Sequence, residues 1–256
     1  MENLHVSDNK RYLMKGSETF FWLADTGWLI FGNISEEEAY NYLKNRADKG
    51  FNVIQAVLVY STKELESVNK MYWGGADRIN DEEYWQHVER IIKMADKLGL
   101  YMALLPSWGS LLKNNLITSE NVLVYGRFLA ERLEKYSNII WVLGGDIKAD
   151  NYVEIYRKLG RYFKEKMPDK LITFHPFGRC ASSMWFADDS WLDFNMFQSG
   201  HRRYDQCNLG AWDDTDNPSY YGEDNWKYVK NDYLVSNKPT LDAEPSYEWI
   251  LQGLHD

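Results

Sequence analysis

"NIIWVLGGDI" occupies positions 138–147. A run of five apolar residues, Ile139 to Leu143, gives way to Gly144, Gly145 and then Asp146. A short β-rich run bounded by glycine reads as a strand. Its last feature is an acid reached across two glycines. Such an acid is either a turn residue or part of a site, and the architecture around it decides between them.

The neighbouring segments alternate. "SENVLVYGRFLAERLEKYS" (119–137) reads as a helix before this strand, and "NYVEIYRKLGRYFKEKM" (151–167) as a helix after it, stopped by Pro168. The alternation extends in both directions. Strands are expected at 19–27, 51–60, 100–109, 171–178, 193–200 and 238–248, and further helices at 35–50, 81–99 and 222–236. Ser35 and Glu38 have the spacing of a capping box, and Gly50 stops that helix. Asp81 caps the next helix, with Tyr84, Val88, Ile91, Ile92 and Ala95 on one face.

Seven strands alternating with helices mean parallel β/α construction. An open doubly wound sheet and a (β/α)₈ barrel of the TIM type both satisfy that order. The barrel is favoured. No glycine-rich phosphate turn follows the first strand, as a dinucleotide fold requires. Polar and aromatic residues also gather where the strands end: Asp25, Tyr60, Trp108, Asp146, His175, Gln198 and Glu244. In a barrel those ends converge on one mouth. The chain of 256 residues is expected to form one α/β barrel domain, 1–256. Its eighth β/α unit is missing from the pattern after "LQGLHD", which reads as truncation.

Composition narrows the function. A net charge of −9 argues against a nucleic-acid partner and against adhesion to anionic membranes. No run of 18 apolar residues spans a membrane. The polar start "MENLHVSDNK" is not a secretory signal, so a cytoplasmic location is expected unless an N-terminal segment was trimmed. Cys180 and Cys207 read as free thiols. The chain carries 11 Trp, 18 Tyr and 11 Phe, and flat rings with polar tips suit the faces of sugars. Oligomeric state is not legible.

Asp146 is either a turn residue before the helix at 151 or a carboxyl facing the mouth, with the glycines letting a ligand approach the backbone. Glu244, in "TLDAEPSYE" (240–248), ends a β-rich run before Pro245, and a buried glutamate needs a partner or a task. Asp242 shares its facing by alternation; Glu244 lies nearer the strand end and is preferred as the reactive group. Two carboxyls from two strand ends suggest glycoside hydrolysis. Asp25, in "LADTGW" (23–28), is either a sugar-hydroxyl acceptor beside Trp28 or a structural acceptor; a single Asp-Thr-Gly in an α/β chain does not make an aspartic protease. His175, Gln198 and His201 are candidates for hydrogen bonds to sugar hydroxyls, and Tyr60, Trp108 and Tyr247 for ring platforms or polar neighbours. No metal-ligand spacing is recognisable, so neither metal nor cofactor is expected.

Five motifs in order, "FFWLADTGWLIF", "KGFNVIQ", "WVLGGD", "FQSGH" and "DAEPSYE", resemble the catalytic domain of glycoside hydrolase family 140, whose characterised activity is apiosidase. The likeness runs from about Thr19 to Glu248. It implies a (β/α)₈ barrel with Asp146 as acid/base and Glu244 as nucleophile, acting on apiose-linked pectic oligosaccharides. The family usually continues into an eighth β/α unit and a β-rich domain, and its members are usually exported; this chain departs on both counts. The alternatives are a barrel that binds saccharide without turnover, and an open α/β sheet that binds a nucleotide or a protein.

Overall fold

The expected strand at 138–146 sits in a sheet of five parallel strands. The computed structural model describes residues 1–32, 34–60, 82–200 and 225–245. In chain order its elements are β1 (Leu4–Val6), β2 (Leu13–Lys15), β3 (Glu18–Phe20), β4 (Ala24–Thr26), α1 (Glu36–Asp48), β5 (Val53–Val57), α2 (Glu82–Lys97) and β6 (Tyr101–Leu105). There follow α3 (Ser110–Lys113), α4 (Val122–Leu133), β7 (Ile139–Ile147), α5 (Val153–Lys166), β8 (Ile172–Pro176), α6 (Ser183–Phe186), β9 (Asn195–Phe197), α7 (Asn225–Ser236) and β10 (Thr240–Asp242).

β4 to β8 pair in sequence order, all parallel, and β9 pairs in parallel with β10. The two sheets are tied together. Thr173 Oγ1 on β8 donates to Phe194 O at 2.7 Å, and Gln55 Nε2 on β5 donates to Ala243 O at 2.7 Å. Alternation along each strand then separates two apolar layers. Val53, Ala103, Val142, Met196 and Ala243 share one interior. Ile54, Met102, Trp141 and Phe174 face outward under the helices. Among the described residues seven parallel strands therefore surround one interior, and the architecture is of the (β/α)₈-barrel type.

The expectation at 19–27 needs correction. Glu18–Phe20 belongs to an antiparallel sheet with β1 and β2, and only Ala24–Thr26 joins the barrel. That small sheet closes the end opposite the mouth. Its Leu4 and Leu13 enter the barrel interior, Phe20 meets the Tyr101 ring edge-on at 5.4 Å, and the Tyr101 hydroxyl donates to Glu2 O. Phe21 remains outside, 76% exposed, so the run was apolar without being one buried strand.

The helices follow their sequence signals. Ser35 Oγ accepts from Glu38 N at 3.3 Å while Glu38 Oε2 accepts from Ser35 N at 2.8 Å, the reciprocal capping box. α2 buries Trp85, Val88, Ile91, Ile92 and Ala95. Its Glu89 is buried too, and is compensated by Arg132 at 2.7 Å and Lys135 at 2.9 Å. Asp81 lies outside the described residues. Cys180 is buried, and Cys207 lies outside the described residues. Among the described residues no helix is long and apolar enough to cross a membrane.

α7 docks through Asp232, which accepts from the Ser183 hydroxyl of α6. Burial raises the Asp232 carboxyl to about 7, against the partial opposition of that hydrogen bond. A carboxyl raised on folding stays protonated in the native state while the unfolded chain ionises. Its penalty is absent below the unfolded value, grows as pH climbs from about 4, and levels off above about 7. The difference amounts to at most about 4 kcal/mol. Asp232→Asn is expected to leave the melting temperature near the parent's at pH 4 and to exceed it at pH 8. Calorimetric melts across that range check this; parallel curves for the two proteins would refute it.

Candidate active site

β7 is interrupted where its acid sits. Gly144 pairs with His175 of β8, and the next pair is Ile147 with Pro176. Gly145 and Asp146 are thus looped out of the ladder as a bulge. Gly144 and Gly145 each take φ of +100°, and Asp146 takes +46°. Bulges re-aim side chains at strand ends, and left-handed backbone at a non-glycine residue is costly enough to need support. Gly109 N supplies some, donating to Gly145 O at 2.9 Å. The two glycines are not left open for a ligand, as the sequence suggested. A Cβ on Gly144 would stand 2.2 Å from His175 O, and one on Gly145 would stand 2.8 Å from Trp108 Cε3. Protein fills the space.

The bulge brings Asp146 to the inner end of β8 and the exit of β10. One oxygen of Asp146, one ring nitrogen of His175 and one oxygen of Glu244 all lie within 4.8 Å of one another. His175 is fully buried and Glu244 is 4% exposed. Glu244 Oε2 accepts from Gln198 Nε2 at 2.6 Å and lies 3.4 Å from His175 Nε2. The other ring nitrogen, Nδ1, is 3.1 Å from Pro176 O. Burial by itself depresses the imidazole, but the hydrogen bond and charge of Glu244, together with the charge of Asp146, outweigh it and hold His175 above its ordinary value.

Asp242 takes a different part from Glu244. Its carboxylate accepts from Ser199 Oγ at 2.6 Å, from Asn225 Nδ2 at 3.3 Å and from Glu244 N at 3.3 Å. Burial raises its carboxyl, and those hydrogen bonds and the nearby His175 pull the other way. Asp242 fixes the backbone that carries Glu244.

Aromatic rings wall the cluster. Trp28 meets His175 edge-on at 5.5 Å and Trp108 at 5.4 Å. Tyr60 stacks on Trp108 at 5.2 Å with 23° between the planes. These rings come from the exits of three successive strands, β4, β5 and β6, and remain partly exposed. The arrangement offers flat apolar faces beside a pair of carboxyls, which suits a sugar ring held over a proton donor and a nucleophile. Asp146, His175 and Glu244 thus converge in one cluster, which no sequence spacing announced.

The chain matches the apiosidase-like catalytic domain over residues 7–256. The chain belongs to the apiosidase-like family. A solved glycoside hydrolase is 39% identical, with a TM-score of 0.87 over 100% of this chain and 59% of its own. A glycoside hydrolase family 5 protein from Bacteroides vulgatus ATCC 8482 is 38% identical, with a TM-score of 0.87 over 99% of this chain and 56% of its own. This chain therefore spans a little under three-fifths of those relatives. The endo-1,4-beta-mannanase from Rhizomucor miehei, 10% identical, shares the fold at a TM-score of 0.68 over 93% of this chain and 80% of its own. No curated protein matches the chain.

In this apiosidase-like domain the expected site residues divide into three groups. Asp146, Glu244, His175, Gln198, Trp28, Tyr60 and Trp108 are brought together. Asp25 is not. It pairs across to the outward Ile54, accepts from the Tyr42 hydroxyl at 2.9 Å and lies 3.1 Å from Arg46 Nε of α1. Strand alternation turns it to the helix side, where it serves Tyr42 and Arg46. His175 and Gln198 are turned to Glu244 instead of to the opening. His201 and Tyr247 lie outside the described residues. Sequence reasoning missed Ser199 and Gln55, which hold Asp242 and the backbone of Ala243. Their partners are distant along the chain, so no local signal marks them.

Proposed function

We propose that this domain is a retaining glycoside hydrolase acting on pectic oligosaccharides of plant cell walls, with Asp146 as acid/base and Glu244 as nucleophile. One observation carries the reading. Carboxyl oxygens of Asp146 and Glu244 come within 4.8 Å of each other at the barrel mouth. Retaining enzymes hold the two groups at about 5–5.5 Å, whereas inverting enzymes leave about 6.5–9.5 Å for a water. Membership of the apiosidase-like family supports apiose as the sugar released. Asp146 protonates the leaving oxygen as Glu244 attacks the anomeric carbon; Asp146 then deprotonates the water that displaces Glu244.

The experiment is hydrolysis of apiose-containing pectic oligosaccharides and a panel of aryl glycosides. NMR follows the anomer formed first. Release of a sugar of retained configuration is the expected result. Inverted product would sink the retaining assignment. Saccharide binding by a folded protein without turnover would leave a binding-only barrel.

Trp108 is assigned to the sugar platform, stacked beneath Tyr60 and beside Trp28. Trp108→Ala is expected to raise KM by about tenfold while changing kcat less, as the loss of one stacked face implies. Steady-state kinetics on the released-sugar assay check the split. A fall in kcat alone would place Trp108 in the chemistry instead.

A further inference from the structure

We propose that His175, as a buried imidazolium, is the positioning residue that keeps Glu244 ionised and so leaves the proton of the carboxyl pair on Asp146. The inference deepens the acid/base and nucleophile reading above and rests on it.

The argument begins with hydrogen-bond bookkeeping. His175 is fully buried, so water does not satisfy its ring. Nδ1 faces the carbonyl oxygen of Pro176 at 3.1 Å, and a carbonyl only accepts. Nδ1 therefore carries a hydrogen. If the ring were neutral, Nε2 would present a lone pair to Glu244 Oε2 at 3.4 Å. That contact needs one proton, either on Nε2 or on the carboxyl. Gln198 decides the question. Its amide Nε2 donates to the same Oε2 at 2.6 Å, a short charge-assisted contact that favours an anionic oxygen. With the proton on Nε2, the ring faces Oε2 as a cation at ion-pair distance while Oε2 accepts from Gln198.

The charges agree. Among the described residues the ionisable groups set against His175 are Glu244, Asp146 and, more weakly, Asp242, all acids on β7 and β10 or their exits. The edge-on Trp28 ring completes an apolar wall. The same low-dielectric pocket that makes a lone imidazolium costly makes one set among carboxylates favourable. Two carboxyls within 4.8 Å do not both ionise cheaply. A fixed cation and an amide on Glu244 break that symmetry, and Asp146 receives the proton. Division of labour between two similar acids is thereby set from the strands between them, by His175 of β8 and Gln198 at the end of β9.

Two measurements test this, and one needs no turnover. In the folded parent, the ¹⁵N shifts of His175 are expected to show both ring nitrogens protonated at pH 8. In Glu244→Gln the same ring is expected to lose its second proton at a lower pH than in the parent. A neutral His175 ring in the parent at pH 8 overturns the proposal. The second is the pH profile of kcat/KM. His175→Gln keeps a donor but no charge. Its acid limb is expected to move up by about one pH unit or more, since Glu244 loses an opposite charge. A rate that drops equally at every pH, with both limbs in place, marks His175 as merely structural and overturns the assignment. Parallel assays of Asp146→Asn and Glu244→Gln separate the failures. Full activity in both would end the catalytic-pair reading, whatever the histidine shifts show.

Discussion

Glu244→Gln is expected to lower kcat by about 10³-fold or more while the protein still melts cooperatively. The substitution is isosteric. It removes the charge proposed to attack the anomeric carbon, but little of the packing around a side chain already 4% exposed. Its amide oxygen still accepts from Gln198, so the loss reflects chemistry more than collapse. The truncated variants tell the two acids apart. With azide added, Glu244→Ala is expected to form a glycosyl azide of inverted configuration, because azide takes the place of the nucleophile. Asp146→Ala is expected to form one of retained configuration, because azide then intercepts the glycosyl-enzyme. Azide products of the opposite configurations would exchange the two roles. Residual activity near the parent's in Glu244→Gln would remove Glu244 from the reaction.

Gly144→Ala is expected to cost roughly 3–5 kcal/mol of stability, adding backbone strain to a forced displacement. The new methyl would stand 2.2 Å from His175 O, a backbone atom locked in the β7–β8 ladder. The residue would also have to hold φ at +100°. Gly50 separates the two causes. Its φ is +87°, but a Cβ there has nothing within 4 Å. Gly50→Ala should therefore cost only about 1 kcal/mol, the conformational part alone. Denaturant melts of both variants measure the contrast, and equal losses would contradict the steric argument. Because Gly144 pairs with His175 and lies two residues before Asp146, its substitution should also displace the proposed catalytic pair and reduce turnover in whatever fraction stays folded.

The bulge explains why a single strand carries so much. β7 supplies outward apolar residues to the helices, inward ones to the barrel and an acid to the mouth. Looping out Gly145 and Asp146 lets the strand stay in register below while its end turns toward Glu244. The cost is backbone in the left-handed region at three successive residues, which the packing of Trp108 and His175 around them sustains.

The sequence by itself determined the order of strands and helices, the parallel construction, the cap at Ser35 and the two acids most worth watching. These are legible because they are local: a run of apolar residues, a Ser-x-x-Glu spacing, a glycine after a strand. It misjudged residues 19–27, where two short strands of different sheets share one apolar run, and it placed Asp25 at the mouth when alternation sends it to Arg46. Only the tertiary structure decided that His175 and Gln198 face Glu244, that Asp242 pins its backbone, and that a bulge swings Asp146 to within 4.8 Å of His175 and Glu244. Those facts join positions up to 98 residues apart, Asp146 to Glu244, through strand register and barrel curvature. No local pattern encodes them, because the energy that fixes them is the packing of the whole barrel.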